Sequence, residues 1–293
     1  MCKSTRSYRI PLITQTLGIP YCQTGQISCK DAVLSFSVAD ELSTARNLIN
    51  NATFTGDILS LTTDDVICCP PPLFHCFGLV MGFLCAFSHS CSIVYPCQQF
   101  DPSLVVKSIE AERCTILHGV PTMFGAELDE LAKAGRSLTS VRMALAAGAP
   151  VPRPMAERLQ QEMGIKNVAI AYGMTETSPV TFSTCPSDSP DLQLSTVGKV
   201  FPHTQAKIVD VDGAIVPCGV KGEICTSGYA LQRGYLKNEE KTLEAMRVDA
   251  NGTVWMHTGD EGTIDQQGYC RVTGRIKDLI IRGERYSNNH EKQ

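Results

Sequence analysis

Residues 171–180, "AYGMTETSPV", bring together the groups that a phosphorylated, ring-bearing ligand needs. Tyr172 offers a flat ring, and Gly173 beside it lets the backbone turn sharply. Thr175 and Thr177 supply hydroxyls for phosphate oxygens, and Glu176 supplies a carboxylate for Mg²⁺, a hard cation that prefers oxygen ligands. Alone, such a string fits a satisfied polar turn equally well. Two later segments bear on the choice: "MHTGD" (256–260) ends a strand-like run on Asp260, and "VTGRIKDLIIRG" (272–283) carries Arg275, Lys277 and Asp278. A carboxylate accepts and a guanidinium donates, so Asp260 and Arg275 together suit the hydroxyls of a ribose. A surface ion pair is the competing reading.

These residues need elements to position them. Between Phe100 and Gly164 helical and apolar strand-like stretches alternate: "PSLVVKSIEAER", "CTILHGVP", "MFGAELDELAKAG", "VRMALAAGAP" and "PMAERLQQEMG". Such alternation predicts a largely parallel sheet covered by helices, with ligands bound at the carboxyl ends of its strands. Three of those ends are "HGVPTMF", "AAGAPVP" and "AIAYGMTET". After Thr196 the texture changes to short β-rich arms with Gly-bearing turns, as in "QAKIVDVDGAIV", which predicts a small antiparallel barrel or sheet. The apolar stretch Leu73–Tyr95 has the length of a membrane span, but His75, His89, its serines and the lack of basic flanks favour a buried helix feeding the strand "SIVYP".

Composition narrows the function class. With 293 residues, 43% of them hydrophobic and 19% charged, the chain can bury a sizeable α/β core. A net charge of -4 leaves no basic footprint for nucleic acid or polybasic membrane patch, so small-molecule partners are expected. The 14 cysteines show no zinc-site spacing and follow no secretory leader, which predicts reduced thiols inside the cell. No GxGxxG follows a strand, which disfavours a dinucleotide-dependent dehydrogenase.

In order and wording, "AYGMTET", "STVGKVFPHTQAKIVD", "GEICTSGYALQRGYLKN", "HTGDEGTID" and "GYCRVTGRIKDLIIRG" resemble the adenylate-forming superfamily, and within it the acyl-CoA synthetases of the medium-chain fatty acid type. The resemblance reaches upstream to "ARNLINNATFTG", "PPPLFHCFGLVMG", "HGVPTMF" and "ALAAGAPVP", covering about residues 45 to 284. It implies ATP, Mg²⁺ and coenzyme A as cofactors and co-substrates, and a fatty or related carboxylic acid as substrate, possible in fungal secondary metabolism. The implied fold is a partial large N-terminal domain, a mostly parallel α/β sheet with helices plus a small antiparallel β-barrel.

The resemblance also implies roles for single residues. Tyr172 with Gly173 would stack on adenine, Thr175 would meet the α-phosphate, and Glu176 would bind Mg²⁺. Gly148, Ala149 and Pro150 would wall the nucleotide pocket, and Asp260 and Arg275 would hold the ribose. His75, Val120, Pro121, Phe124 and Gly198 would line the acyl and CoA channel, and Asp278 would be a hinge. For His75, a hydrogen-bonded core histidine is an equal alternative; Lys199, Lys277 and Glu223 read as solvated or structural.

The sequence departs from the family pattern in two places. Where a Gly/Ser/Thr-rich phosphate loop with a lysine is expected, residues 29–44 read "CKDAVLSFSVADELST", without glycine. Beyond Gly283 the text "ERYSNNHEKQ" replaces the start of a lysine-bearing C-terminal domain. The expected organisation is therefore a divergent segment 1–44, an α/β subdomain 45–195, a β-rich subdomain 196–273 and a hinge stub 274–293. The expectation is an internally deleted and truncated ligase with weakened ATP binding, either a residual enzyme or a non-catalytic remnant that pairs with an intact paralogue as a homo- or heterodimer. A soluble intracellular protein is expected, cytoplasmic or peroxisomal by family, although "EKQ" is not a peroxisomal address.

Overall fold

A computed structural model describes residues 8–10, 33–36, 41–135, 137–276, 279–282 and 285–288. In chain order the elements begin with β1 (Tyr8–Ile10), β2 (Val33–Phe36), β3 (Glu41–Thr44), α1 (Ala45–Ile58) and β4 (Val66–Cys68). A helix follows, α2, built as a wide π-type stretch Phe77–Leu84 that runs on through Cys85–Ser88. Then come β5 (Ser92–Tyr95), α3 (Pro102–Glu112), β6 (Ile116–Gly119), α4 (Pro121–Ala134), β7 (Met143–Ala146), α5 (Arg153–Glu162), β8 (Asn167–Gly173) and β9 (Val180–Ser183). The chain continues with α6 (Pro190–Ser195), β10 (Lys199–Val200), β11 (Thr204–Val209), β12 (Gly222–Gly228), α7 (Glu239–Ala245), β13 (Met246–Val248), β14 (Val254–Ile264) and β15 (Cys270–Arg275). Strands β16 (Leu279–Arg282) and β17 (Arg285–Asn288) pair as a hairpin, as do β2 and β3.

The larger sheet has the order β1-β5-β4-β6-β7-β8-β9-β10. Its centre, β5 to β8, is parallel, and the pairs at either margin are antiparallel. Strands buried on both faces must be apolar throughout. "VIC" and "MALA" meet that demand at every position, and "ILHG" does so except for His118. One core, with Leu48, Val80, Met81 and Ile93, lies under α1 and α2; the other, with Val105, Ile109, Phe124, Leu128 and Leu159, lies under α3, α4 and α5. The doubly covered α/β sheet expected from the alternation is what forms.

Helix boundaries follow local chemistry. Thr44 caps α1 by accepting the Asn47 amide, and Asp101 caps α3 ahead of Pro102 at the first turn. α4 opens on Pro121 and closes at Gly135, whose φ of +60° suits a residue without Cβ. The asparagines of "ARNLINN" dock α1: Asn51 both donates to the Val180 carbonyl (2.7 Å) and accepts from its amide (3.1 Å). In α2 the glycines allow close packing, since a Cβ on Gly78 would stand 2.2 Å from the Pro72 carbonyl. The stretch weighed as a membrane span is thus a buried helix and strand, and no described helix is long and apolar enough to cross a bilayer.

A polar buckle ties the amino ends of β4, β6 and β7. Asp65, with a side chain 5% exposed, accepts from the Thr62 amide (2.9 Å), the Thr115 hydroxyl (2.6 Å) and both Nε and Nη2 of Arg142 (2.9 and 2.8 Å). Arg142 Nη2 also donates to the carbonyls of Leu59 and Ser60. Burial alone would raise the Asp65 pKa, but the guanidinium and these donors outweigh it and hold it at about 2.

The second sheet is antiparallel, in the order β11-β12-β14-β13, with β15 also on β14. No pairing among the described residues closes it, so it is an open sheet where a barrel was the other expectation. The long β14 explains this: β13 and β15 occupy successive stretches of the same edge, leaving β11 at the far margin. Every described cysteine is a free thiol.

Candidate functional site

A cleft of about 1470 Å³ opens between the carboxyl ends of β7 and β8 and the second sheet. This is the place where doubly wound sheets bind ligands, and the volume exceeds that of an ordinary small-molecule pocket. Phe77, Met81, Ala147 and Gly148 lie on its first-sheet side; residues 172–176 form one wall, and Glu223, residues 257–259 and Arg275 face them.

Tyr172, which lines this cleft, meets Asp260, 88 residues away, in the cleft wall, where Gly259 and Glu261 on either side of Asp260 are lining residues. The phenol donates to Asp260 Oδ2 at 2.7 Å, and Arg275 Nε donates to Oδ1 at 3.2 Å. Burial, reinforced by the Asp260 charge, pushes the Tyr172 pKa up, so the phenol keeps its proton and donates. Asp260 is 9% exposed whereas the Arg275 side chain is 69% exposed. The pair is therefore more than a surface ion pair: a sheltered carboxylate is presented by a strand, with an exposed cation at the rim. The turn before Asp260 is held from behind, since Gly259, at φ +72°, donates its amide to Glu223 Oε1 at 3.0 Å.

Thr175 and Glu176 occupy a single 3₁₀ turn after β8. Glu176 Oε1 accepts from the Tyr235 hydroxyl at 2.7 Å, and Lys241 Nζ lies 3.9 Å from the centre of the Tyr235 ring. Thr175 Oγ1 is 3.7 Å from Cys76 Sγ. His75 is exposed at the cleft edge, so the core-histidine alternative is corrected: the loop before α2 turns outward, and only its neighbour Cys76 is buried. Its Nδ1 accepts the Phe77 amide at 3.0 Å, which places the ring proton on Nε2, and partial burial lowers its pKa.

Other expected site residues are distributed unevenly. Gly148, at φ +81°, borders the cleft, while Ala149 and Pro150 are exposed beside it. Val120 stands under Gly148, whose added Cβ would be 3.3 Å from Val120 Cγ1, and Pro121 begins α4. Phe124 is fully buried in the core on the other face of the sheet, because α4 crosses there. Gly198 lies where β9 meets the second sheet, with a would-be Cβ 1.9 Å from the Ser183 carbonyl. Neither borders the cleft. Asp278 and Lys277 lie outside the described residues.

Gly173 serves the backbone directly. A Cβ there would fall 1.8 Å from the Pro179 carbonyl, which β9 brings across at the bulge between Tyr172 and Gly173. Gly173→Ala is expected to cost about 1–3 kcal/mol of stability by overpacking, read as a lower midpoint in urea unfolding; an unchanged midpoint contradicts this close approach.

Sequence reasoning passed over several cleft residues. Tyr235 sat unremarked in "RGYLKN", although the resemblance already spanned it. Glu223, read as solvated or structural, is half-buried and bonded to His257 Nδ1 at 2.7 Å as well as to Gly259. Lys241 and Arg247 add positive charge to the wall; only the packing of α7 and β13 against β14 could show it.

Comparison with known proteins agrees with this geometry. The chain is 50% identical over 240 residues to the acyl-CoA ligase sidI of Aspergillus fumigatus, covering 82% of this chain and 41% of that protein. It is 46% identical over 240 residues to the acyl-CoA ligase cnsG of Penicillium expansum, covering 82% of this chain and 50% of the relative. It thus spans half or less of these relatives' lengths. Among solved structures, the O-succinylbenzoate coenzyme A synthetase MenE of Bacillus subtilis in complex with ATP and magnesium superposes with a TM-score of 0.74 at 29% identity, over 88% of this chain and 52% of that one. ATP-bound MatB of Rhodopseudomonas palustris gives 0.75 at 27% identity, over 88% and 50%. With a family model described as "AMP-binding enzyme" matching residues 42–236, about two-thirds of the sequence, the chain belongs to the AMP-binding enzymes.

Proposed function

We propose that this chain holds the AMP and acyl portions of an acyl-adenylate, as part of an ATP-dependent acid–thiol ligase acting on a fatty or related carboxylic acid. The observation that carries this reading is the Tyr172–Asp260–Arg275 set, in which a ring and a rim cation that line one cleft share a sheltered acceptor in its wall. In this reading Tyr172 lies against adenine and Asp260 accepts from ribose hydroxyls while Arg275 closes over them. Thr175 reaches the α-phosphate. Glu176, a carboxylate lining the cleft, fits the hard-ligand preference of Mg²⁺, which when bound would neutralise charge at the phosphates. Lys241 and Arg247 supply cations beside the carboxylates of the lining, and coenzyme A would enter as the thiol acceptor.

The triphosphate end fits less well. Residues 29–44 contain no glycine, and β2 and β3 within them pair as antiparallel strands, so their backbone serves a ladder rather than a cradle for β- and γ-phosphates. The same proposal therefore has AMP and acyl-adenylates binding more tightly than ATP, and adenylate formation slow. As further parts of it, the acyl group belongs to fungal secondary metabolism, in keeping with the fungal ligases among the relatives, and the protein works in the cytosol or peroxisome, alone or paired with a second chain. Its rival is a non-catalytic partner of an intact paralogue.

Thermal-shift titration with AMP, ATP and Mg²⁺, and a non-hydrolysable acyl-adenylate mimic tests the reading, because a ligand at 100 times its Kd stabilises the folded state by about 2.7 kcal/mol. The expected order is mimic above AMP above ATP, with slow ATP–pyrophosphate exchange. Absence of any shift refutes the site, and brisk exchange refutes the weakened phosphate end.

A further inference from the structure

Behind the turn that carries Asp260, three side chains of different chemistry meet on one face of the second sheet. Cys225 of β12 and His257 of β14 are directly opposed in the ladder, and Glu223 stands two residues from Cys225 on the same face. Between Glu223 and Cys225 the register shifts, one residue of β12 facing three of β14, and the Glu223 carboxylate stands 2.7 Å from the imidazole. The result is a sulfur, a nitrogen and an oxygen donor all within 4.8 Å of one another. We propose that Glu223, Cys225 and His257 form a binding site for a thiophilic divalent cation of the Zn²⁺ class.

The geometry suits such an ion with little movement. Bonds of about 2.0–2.2 Å to nitrogen and oxygen and about 2.3 Å to sulfur place tetrahedral ligands roughly 3.3–3.6 Å apart. Cys225 Sγ and His257 Nδ1 already stand at 3.4 Å. The 2.7 Å contact between Glu223 Oε2 and Nδ1 is too short, and the carboxylate must withdraw by roughly half an ångström. It can do so toward the cleft, which both Glu223 and His257 line, and water from the same side completes the fourth position. Binding replaces the thiol proton of Cys225 and the hydrogen bond to His257, and the proton leaves to solvent.

Neighbouring charges act in both directions. Burial and the Glu223 charge push the Cys225 thiol up to about 12, while Lys207, opposite Cys225 in the β11–β12 ladder and 4.0 Å from the centre of the Trp255 ring, and Arg247 pull it the other way and repel the ion. Two anionic ligands offset that repulsion, and a soft thiolate selects Zn²⁺ over Mg²⁺. Glu223 Oε1 meanwhile holds the Gly259 amide, so an ion on Oε2 would fix the turn that presents Asp260. Glu176, proposed above for Mg²⁺, is not one of these three ligands, and the existence of the site does not depend on the activity proposed above.

Titration of the metal-free, reduced protein with Co²⁺ tests it. One ion per chain is expected, with a thiolate-to-cobalt charge-transfer band in the near ultraviolet that Zn²⁺ bleaches, Cys225→Ala abolishes and Cys218→Ser leaves intact. Glu223→Gln, a change at the wetter edge that keeps the fold testable should Cys225→Ala not fold, is expected to weaken Co²⁺ binding at least about tenfold. Absence of the band, a band insensitive to Cys225→Ala, or unchanged affinity in Glu223→Gln overturns the proposal and leaves the trio as a hydrogen-bonded brace.

Discussion

Replacing Arg142 with alanine is expected to lower folding stability by about 3 kcal/mol, toward the lower end for breaking a buried ion pair because the arginine side chain is 35% exposed. The loss comes mostly from stranding Asp65. Its carboxylate keeps Thr62 and Thr115 as donors but loses the bidentate guanidinium that offsets burial. For a domain of this size the melting temperature should fall by roughly 6–12 °C, measured by calorimetry. The acid limb of stability gives a second readout. With Asp65 at about 2 when folded and 3.8 as its ordinary value, the buckle contributes fully above the ordinary value and is lost as pH falls from 3.8 through 2. In Arg142→Ala the folded carboxyl moves back up, so stability should fall less steeply across that window. Wild-type steepness with an unchanged melting temperature would show the buckle to be decorative.

Asp260→Ala is expected to weaken AMP binding about 10- to 100-fold, the effect of removing a charged acceptor worth about 1.5–3 kcal/mol. Calorimetric titration measures it directly. Tyr172→Phe separates two contributions: it keeps a ring for adenine and removes only the bond to Asp260, so it should cost far less than Tyr172→Ala. Equal losses in the two tyrosine variants would mean that the phenol, rather than the ring, matters. An Asp260→Ala protein that binds AMP normally would move the ribose elsewhere in the cleft. Neither substitution touches the Asp65 buckle, which lies at the opposite end of the strands, so stability and binding effects should separate cleanly.

Much of this was legible from local pattern. The runs around Ile116, Met143 and Val168 are apolar at successive positions because both faces of those strands are covered, and the helices between them announce themselves by period. The cleft-lining string Tyr172 to Glu176 and the separate Asp260 and Arg275 were legible as groups that suit a nucleotide, although residue types alone left a polar turn and a surface ion pair open. Less visible was the job of Gly173, which makes room for a carbonyl contributed by its own hairpin.

What the sequence determined by itself was the set of elements, their order and the inventory of reactive groups, since propensity, period and motif are properties of neighbours along the chain. Only the tertiary structure decided that Tyr172 would meet Asp260, that Phe124 would face the core away from the cleft, that no pairing among the described residues would close the second sheet, and that Cys225 would lie opposite His257. Those outcomes depend on which strand edges pair and which helix covers which face. They are settled by burial and backbone hydrogen bonding between residues tens of positions apart, where the spacing of letters carries no signal.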